Sequence, residues 1–240
     1  MNTLLIALAL PLAACGVTVS GDDDGTPGIA AQGSGGTRTY PATGFTEVAV
    51  RGGDDVDVRV GPGFSVRADG DTDVLDHLKI SRDGDTLTVS RTSWTWGDKH
   101  ARVSITMPAL AGTAVAGSGD LTVDRIAGAR FKGANAGSGR LTIGQLAVGD
   151  AEFDLAGSGG VKAAGEVKAL KVSMAGSGSL DAPDLKAAQA EISIAGSGRV
   201  RAKVAGPAKV SMMGSGDVDL GDQAKCETSK MGSGSVRCGG

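Results

Sequence analysis

Aromatic side chains are nearly missing from this 240-residue chain: four Phe, two Trp and one Tyr make up 3% of it. Beside 40 glycines, that scarcity usually marks a chain unable to bury enough apolar surface to order itself. Here the glycines recur at fixed intervals with alternating residues between them, which argues for order. Histidine is limited to His77 and His100, both outside the glycine repeats, so the repeated serines lack the base that a nucleophile elbow needs. Of three cysteines, Cys226 and Cys238 have no histidine near them, which gives no zinc-ligand spacing. The 24 basic and 27 acidic residues leave a net charge of -3, too small to indicate a nucleic-acid or membrane-surface partner.

What the chain has instead is one phrase repeated seven times. Ala/Met-Gly-Ser-Gly begins at Ala116, Ala136, Ala156, Ala175, Ala195, Met213 and Met231. A period near twenty residues is the signature of a solenoid, whose repeats bury their apolar faces against neighbouring repeats. Before each corner apolar residues alternate with polar ones, as in Phe153 and Leu155, Val172 and Met174, Ile192 and Ile194, Val210 and Met212. After it the alternation resumes, as in Leu141 and Ile143, Leu180 and Ala182, Val218 and Leu220. Period two on both sides predicts two strands per repeat, and no repeat has room for a helix between its glycines. The fold class is therefore all-β, a parallel β-solenoid with one coil per repeat. Glycine reaches positive φ without steric cost, so Gly-Ser-Gly turns the chain sharply. The serines at 118, 138, 158, 177, 197, 215 and 233 then form a corner ladder, each placed to bond to the next coil.

Residues 1–14 read as a bacterial export signal. The apolar run 4–12 is too short to span a bilayer and contains Pro11, and Leu12-Ala13-Ala14-Cys15 matches a lipobox, which predicts lipidation at Cys15. An ordinary secretory signal with a chance cysteine is the alternative. Residues 15–41 are rich in Gly, Ser, Thr and Asp and read as a flexible tether. From 42 to 107 the pattern is β without the repeat, with a short helical turn near Val74 and a hairpin at Asp83-Gly84 of the type that Asp-Gly favours. This region caps the first end of the solenoid, which occupies 108–240.

At the other end, alignment on the corner puts Cys226 where Ala190 sits and Cys238 where Ala202 sits, both inward. Across a flattened coil the two positions face each other, which invites a disulfide in an exported protein; two buried free thiols are the alternative. Thr228 and Lys230 occupy inward positions of the same coil, so the apolar core fades where a staple helps most.

The order of a lipoprotein signal, Phe-Thr-Glu-Val-Ala-Val at 45–50, Asp-Asp-Val-Asp-Val at 54–58, the Asp83-Gly84 hairpin, Val-Ser-Ile-Thr-Met-Pro at 103–108 and recurring Gly-Ser-Gly resembles the putative auto-transporter adhesin, head GIN domain family, over residues 42–240. The resemblance implies a right-handed parallel β-helix at a bacterial cell envelope and offers no catalytic residue to carry over.

The outward residues give little sign of catalysis. Asp120 stands several coils from Asp217 and Asp219, beyond any paired-carboxylate spacing at about 4.8 Å per coil. Asp217 and Asp219 have Arg199 and Arg201 on the previous coil to neutralise them. Calcium, in its nine-residue roll, needs a different period, and no cofactor is indicated. Trp94 and Trp96 share one face of an extended segment, a geometry suited to stacking on sugars or on a partner's side chains; packing over the first coil is the other reading. The expectation is a non-enzymatic binding or adhesion module. Its partners are the membrane, through a lipid anchor facing periplasm or cell surface, and a glycan or envelope protein. A structural or stress-related envelope protein shares these features and differs in lacking an exogenous ligand, and a polysaccharide-active β-helix enzyme requires a cleft with close acids.

Overall fold

The computed structural model describes residues 26–92 and 99–239. Among them, seventeen strands and one short helix join into a single winding sheet. The first strands are β1 (Thr37–Tyr40), β2 (Glu47–Gly52), β3 (Asp55–Val60) and β4 (Ser65–Asp69). The helix α1 (Thr72–His77), β5 (Leu78–Asp83), β6 (Thr86–Arg91) and β7 (Arg102–Met107) complete the irregular region. The regular coils are β8 (Gly112–Gly117), β9 (Leu121–Gly137), β10 (Arg140–Gly157), β11 (Gly160–Gly176) and β12 (Ser179–Gly196). They continue through β13 (Arg199–Val204), β14 (Pro207–Gly214), β15 (Asp217–Asp219), β16 (Lys225–Met231) and β17 (Ser235–Arg237). Each strand from β8 to β15 pairs in parallel with the coil that follows it, and the coils are aligned at their corners.

Alternation makes the core, but in each coil from β9 to β12 it breaks twice. In β10 the buried side chains are Leu141, Ile143, Leu146, Val148, Ala151, Phe153 and Leu155. Two residues in a row stay outside at Gly144-Gln145 and again at Gly149-Asp150. Such breaks bend the strand, so a coil has three straight runs where the sequence suggested two strands. The core is a narrow column of Leu, Val, Ile and Ala stacked on like neighbours, and its regular coils carry one ring pair among the described residues, Phe131 with Phe153, centroids 6.0 Å apart. A core this thin has no room for many rings, which is why their scarcity does not cost the fold its order.

The two corner glycines are needed for different reasons. Gly137, the first, has φ +146°, and an added Cβ would run into the backbone of Gly117 one coil below. Gly139, the second, is buried, and an added Cβ would meet the Gly119 carbonyl. The ladder between corners is carried by the backbone: Ser138 N–H donates to the Gly117 carbonyl at 2.9 Å, Ser177 to Gly157 at 2.9 Å and Ser215 to Gly196 at 3.0 Å. The serines themselves are exposed. The corner ladder exists, then, with amides as its rungs and not side chains.

The first end inverts chain order. β2 and β3 pair with β8 and β9 on one side and with β6 and β7 on the other, all parallel. The chain thus lays down β2–β3, leaves to build the end, returns as a coil outside them and crosses back to β8. This hides an eighth corner at Gly52-Gly53-Asp54, where Ser118 N–H donates to the Gly52 carbonyl at 2.9 Å. Its second-glycine place is taken by Asp54, only 1% exposed. Asp54 accepts Arg91 Nε at 2.9 Å and Arg91 Nη2 at 2.6 Å, and also the Ala101 amide at 2.8 Å. Hydrogen bonding to Asp54 raises the Arg91 pKa further. One buried carboxylate therefore holds the end of β6 and the start of the approach to β7 together, through the Arg91 side chain and the Ala101 amide.

Antiparallel strands finish that end: β4 on β7, β5 on β6 and β1 on β4. The tether expected over 15–41 is corrected from residue 26 onward. Ile29 N–H donates to the Ile80 carbonyl at 2.7 Å, Gln32 and Thr39 bond to each other at 2.8 Å, and β1 pairs with β4. A free strand edge needs backbone partners whatever the side chains are, and Tyr40, 4% exposed, adds the apolar anchor that composition alone does not weigh. At the far end a disulfide joins Cys226 and Cys238, Cα atoms 6.2 Å apart, in the coil that leaves Thr228 and Lys230 exposed.

Candidate functional site

Stacked coils turn each sequence position into a column. The position five residues before the first corner glycine reads Lys132, Glu152, Lys171, Glu191, Lys209, Glu227, in register across six coils. Two positions on, it reads Ala134, Asp154, Ser173, Ser193, Ser211, Ser229; two further, Ala136, Ala156, Ala175, Ala195, Met213, Met231. All three point outward because the residues between them, such as Phe153 and Leu155, fill the core. Met213 and Met231 are the exposed large hydrophobics among the described residues, at 62% and 69%.

The alternating column is electrostatically quiet within the chain. Lys171 lies 3.2 Å from Glu152, and that contact raises its pKa; Lys132 lies 3.0 Å from Asp154. Such exposed cross-strand pairs contribute roughly 0.2–1 kcal/mol each. Beside the column a groove of about 860 Å³ runs along the solenoid. Its floor is Phe131, Ala151, Leu170, Ala190 and Ala208, its second wall Arg130 and Asp150 followed by uncharged Ala169, Gln189 and Pro207. The small floor residues make it shallow and long, a shape that accepts an extended ligand and not a compact one.

The acidic residues weighed from sequence are each paired. Asp120 lies 3.2 Å from Arg140, and Asp217 is held by Ser235 at 2.7 Å and Arg199 at 3.7 Å. Arg201 turns to Asp181 at 3.2 Å, leaving Asp219 to Arg237 at 3.9 Å. No group of three or more potential metal ligands occurs among the described residues, and no helix among them is long and apolar enough to cross a membrane. Cys15, Trp94 and Trp96 lie outside the described residues. The sequence offers a ladder of outward Arg, Asp, Ser and Thr as a second binding surface, but the Lys/Glu column and the groove escaped that reading, although alignment on the corner glycine displays the alternation directly.

The profile of the putative auto-transporter adhesin, head GIN domain family matches residues 44–224. Among solved structures, a putative adhesin from Bacteroides fragilis superposes with TM-score 0.78 at 20% identity, covering 84% of this chain and 95% of that one. A putative lipid binding protein from Parabacteroides distasonis gives 0.62 at 22% identity, and a putative adhesin from Parabacteroides merdae 0.64 at 15%, each with the same coverages of 84% and 95%. These likenesses establish the fold. The family and these structures are described as adhesins or as lipid binding, not as enzymes. No curated protein matches the chain.

Proposed function

The chain belongs to the putative auto-transporter adhesin, head GIN domain family, and from that premise we propose that it is a non-catalytic adhesion module held at the bacterial envelope by a lipid on Cys15. The observation that carries this reading is the uninterrupted outer face, six coils long, with charged, hydroxyl and apolar columns beside a continuous groove. A rigid repeated surface suits many weak, regularly spaced contacts, which is what holding a polymer or another surface demands. In this reading the capped end, where Gly28 bridges to Ser81 and β1 pairs with β4, faces the membrane.

The test immobilises the full chain and passes over it a panel of envelope and host polysaccharides, following retention and the release of new sugar ends. Retention without new ends, reduced by Gln189→Trp in the groove or by changing Trp94 and Trp96 to Ala, supports the reading and locates the contact. New sugar ends overturn it. Absence of retention on every glycan directs the adhesive contact to protein.

A further inference from the structure

Resting on that adhesive reading, we propose that the three-column face binds a second copy of this chain in an antiparallel, two-fold arrangement. Consider an axis along the strands, midway between the coils of Lys171 and Glu191. It brings Lys132 against the second copy's Glu227, Glu152 against Lys209, and Lys171 against Glu191. Every pair is of opposite sign, because the column alternates over an even number of coils. Among the described residues Glu191, Lys209 and Glu227 form no close ion pair, Glu191 acting on Lys171 only through its charge, so their carboxylate and ammonium groups can still meet a partner's.

The same axis fits the other columns without adjustment. Met231 falls over Ala136, Met213 over Ala156, and Ala175 over Ala195, so each protruding side chain meets a small one. Ser211 comes opposite Asp154, a donor to a carboxylate, and Ser173 opposite Ser193. The alternatives fail on the same residues. Sliding by one coil sets Lys132 against Lys209 and Glu152 against Glu191. A parallel pair, with the axis along the solenoid, lays the Lys/Glu column over Ala and Met and buries charge without a partner. The face therefore specifies orientation and register as well as partner.

Six coils at about 4.8 Å and columns about 7 Å apart give a face of roughly 500 Å² on each copy, near the lower bound for a specific interface, so the contact is reversible. Antiparallel pairing also places the two N-terminal ends at opposite ends of the dimer. That geometry joins chains anchored in facing envelopes, and many such contacts in parallel supply the avidity that one lacks.

The test uses the full chain carrying Cys15→Ser, by sedimentation equilibrium from about 1 μM to 1 mM, a span that brackets dissociation constants expected of a reversible contact. The wild-type face dimerises reversibly. Lys209→Glu sets a second carboxylate against Glu152 twice in the pair, and Glu152→Lys sets a second ammonium against Lys209 twice; each alone weakens Kd at least tenfold. Mixed together, the two single variants restore every opposite-sign pair, and the mixture dimerises within threefold of wild type. Ala156→Trp, which collides with Met213, also weakens Kd at least tenfold, with thermal melting confirming that each variant is folded. A chain that stays monomeric throughout, a dimer indifferent to Lys209→Glu and Ala156→Trp, or a mixture no stronger than its components overturns the proposal. Retention on a glycan by a monomeric chain would leave the adhesive reading standing and remove this one alone.

Discussion

Replacing Gly137 by Ala and, separately, Ser138 by Ala distinguishes an amide-borne corner from a hydroxyl-borne one. At φ +146° with an added Cβ against the Gly117 backbone, alanine is strained by about 1–3 kcal/mol. Relief requires the coils to part, which stretches the bonds from the Ser138 and Gly139 amides to the Gly117 carbonyl, 2.9 and 3.0 Å long. At about 1 kcal/mol each, they bring the expected loss to about 3–5 kcal/mol. Ser138→Ala removes an exposed hydroxyl and leaves both amide bonds intact, so it stays within about 0.5 kcal/mol. Urea unfolding followed by far-ultraviolet circular dichroism measures both. Hydrogen exchange at the corner amides shows whether the loss begins between the coils of Gly117 and Gly137. A Ser138→Ala loss above about 1 kcal/mol, or a Gly137→Ala loss below it, would refute an amide-borne corner.

Tyr40 is the one tyrosine in the chain, and burial raises its pKa above the usual value. Absorbance at 295 nm should therefore titrate above about 10 in the folded protein and near 10 in denaturant. Its neutral form stabilises the fold fully below the unfolded pKa, and that contribution is lost as pH climbs through the raised one; an ordinary folded titration contradicts docking of β1. Changing Cys226 and Cys238 to Ser should cost about 3 kcal/mol, with exchange rising first in β16 and β17, and adding reductant to the wild type should match it. Asp54→Ala strips Arg91 and the Ala101 amide of their acceptor, and a loss of about 3 kcal/mol is expected in denaturant unfolding, with proteolysis appearing between 92 and 101.

Much of the solenoid was legible because its rule is local. Glycine at a fixed spacing and alternation around it determine coil, corner and inward face, and the same alignment placed Cys226 and Cys238 across one coil from each other, where the disulfide joins β16 to the residue just after β17. The hidden corner was not legible: Gly52-Gly53-Asp54 lacks the Ser-Gly phrase, and its neighbour in space is Gly117, 65 residues away. Docking of 26–41 was missed for a related reason, since composition measures what side chains can bury and not the demand of an open strand edge at β4 and β5. The charge column was present in the letters, but its meaning depends on which residues stack at one height. Lys171 and Glu191 draw no notice twenty positions apart and become a pattern only in register.

The most direct measurement of the central claim attaches the full chain to beads through position 15, so that the solenoids project outward, and follows bead clustering by light scattering. Adhesion through the three-column face predicts clusters that free wild-type chain disperses and free Lys209→Glu chain does not. Beads bearing Lys209→Glu should cluster only when mixed with beads bearing Glu152→Lys. Beads that stay dispersed at every surface density, or clusters equally strong for Lys209→Glu alone, would contradict adhesion through this face.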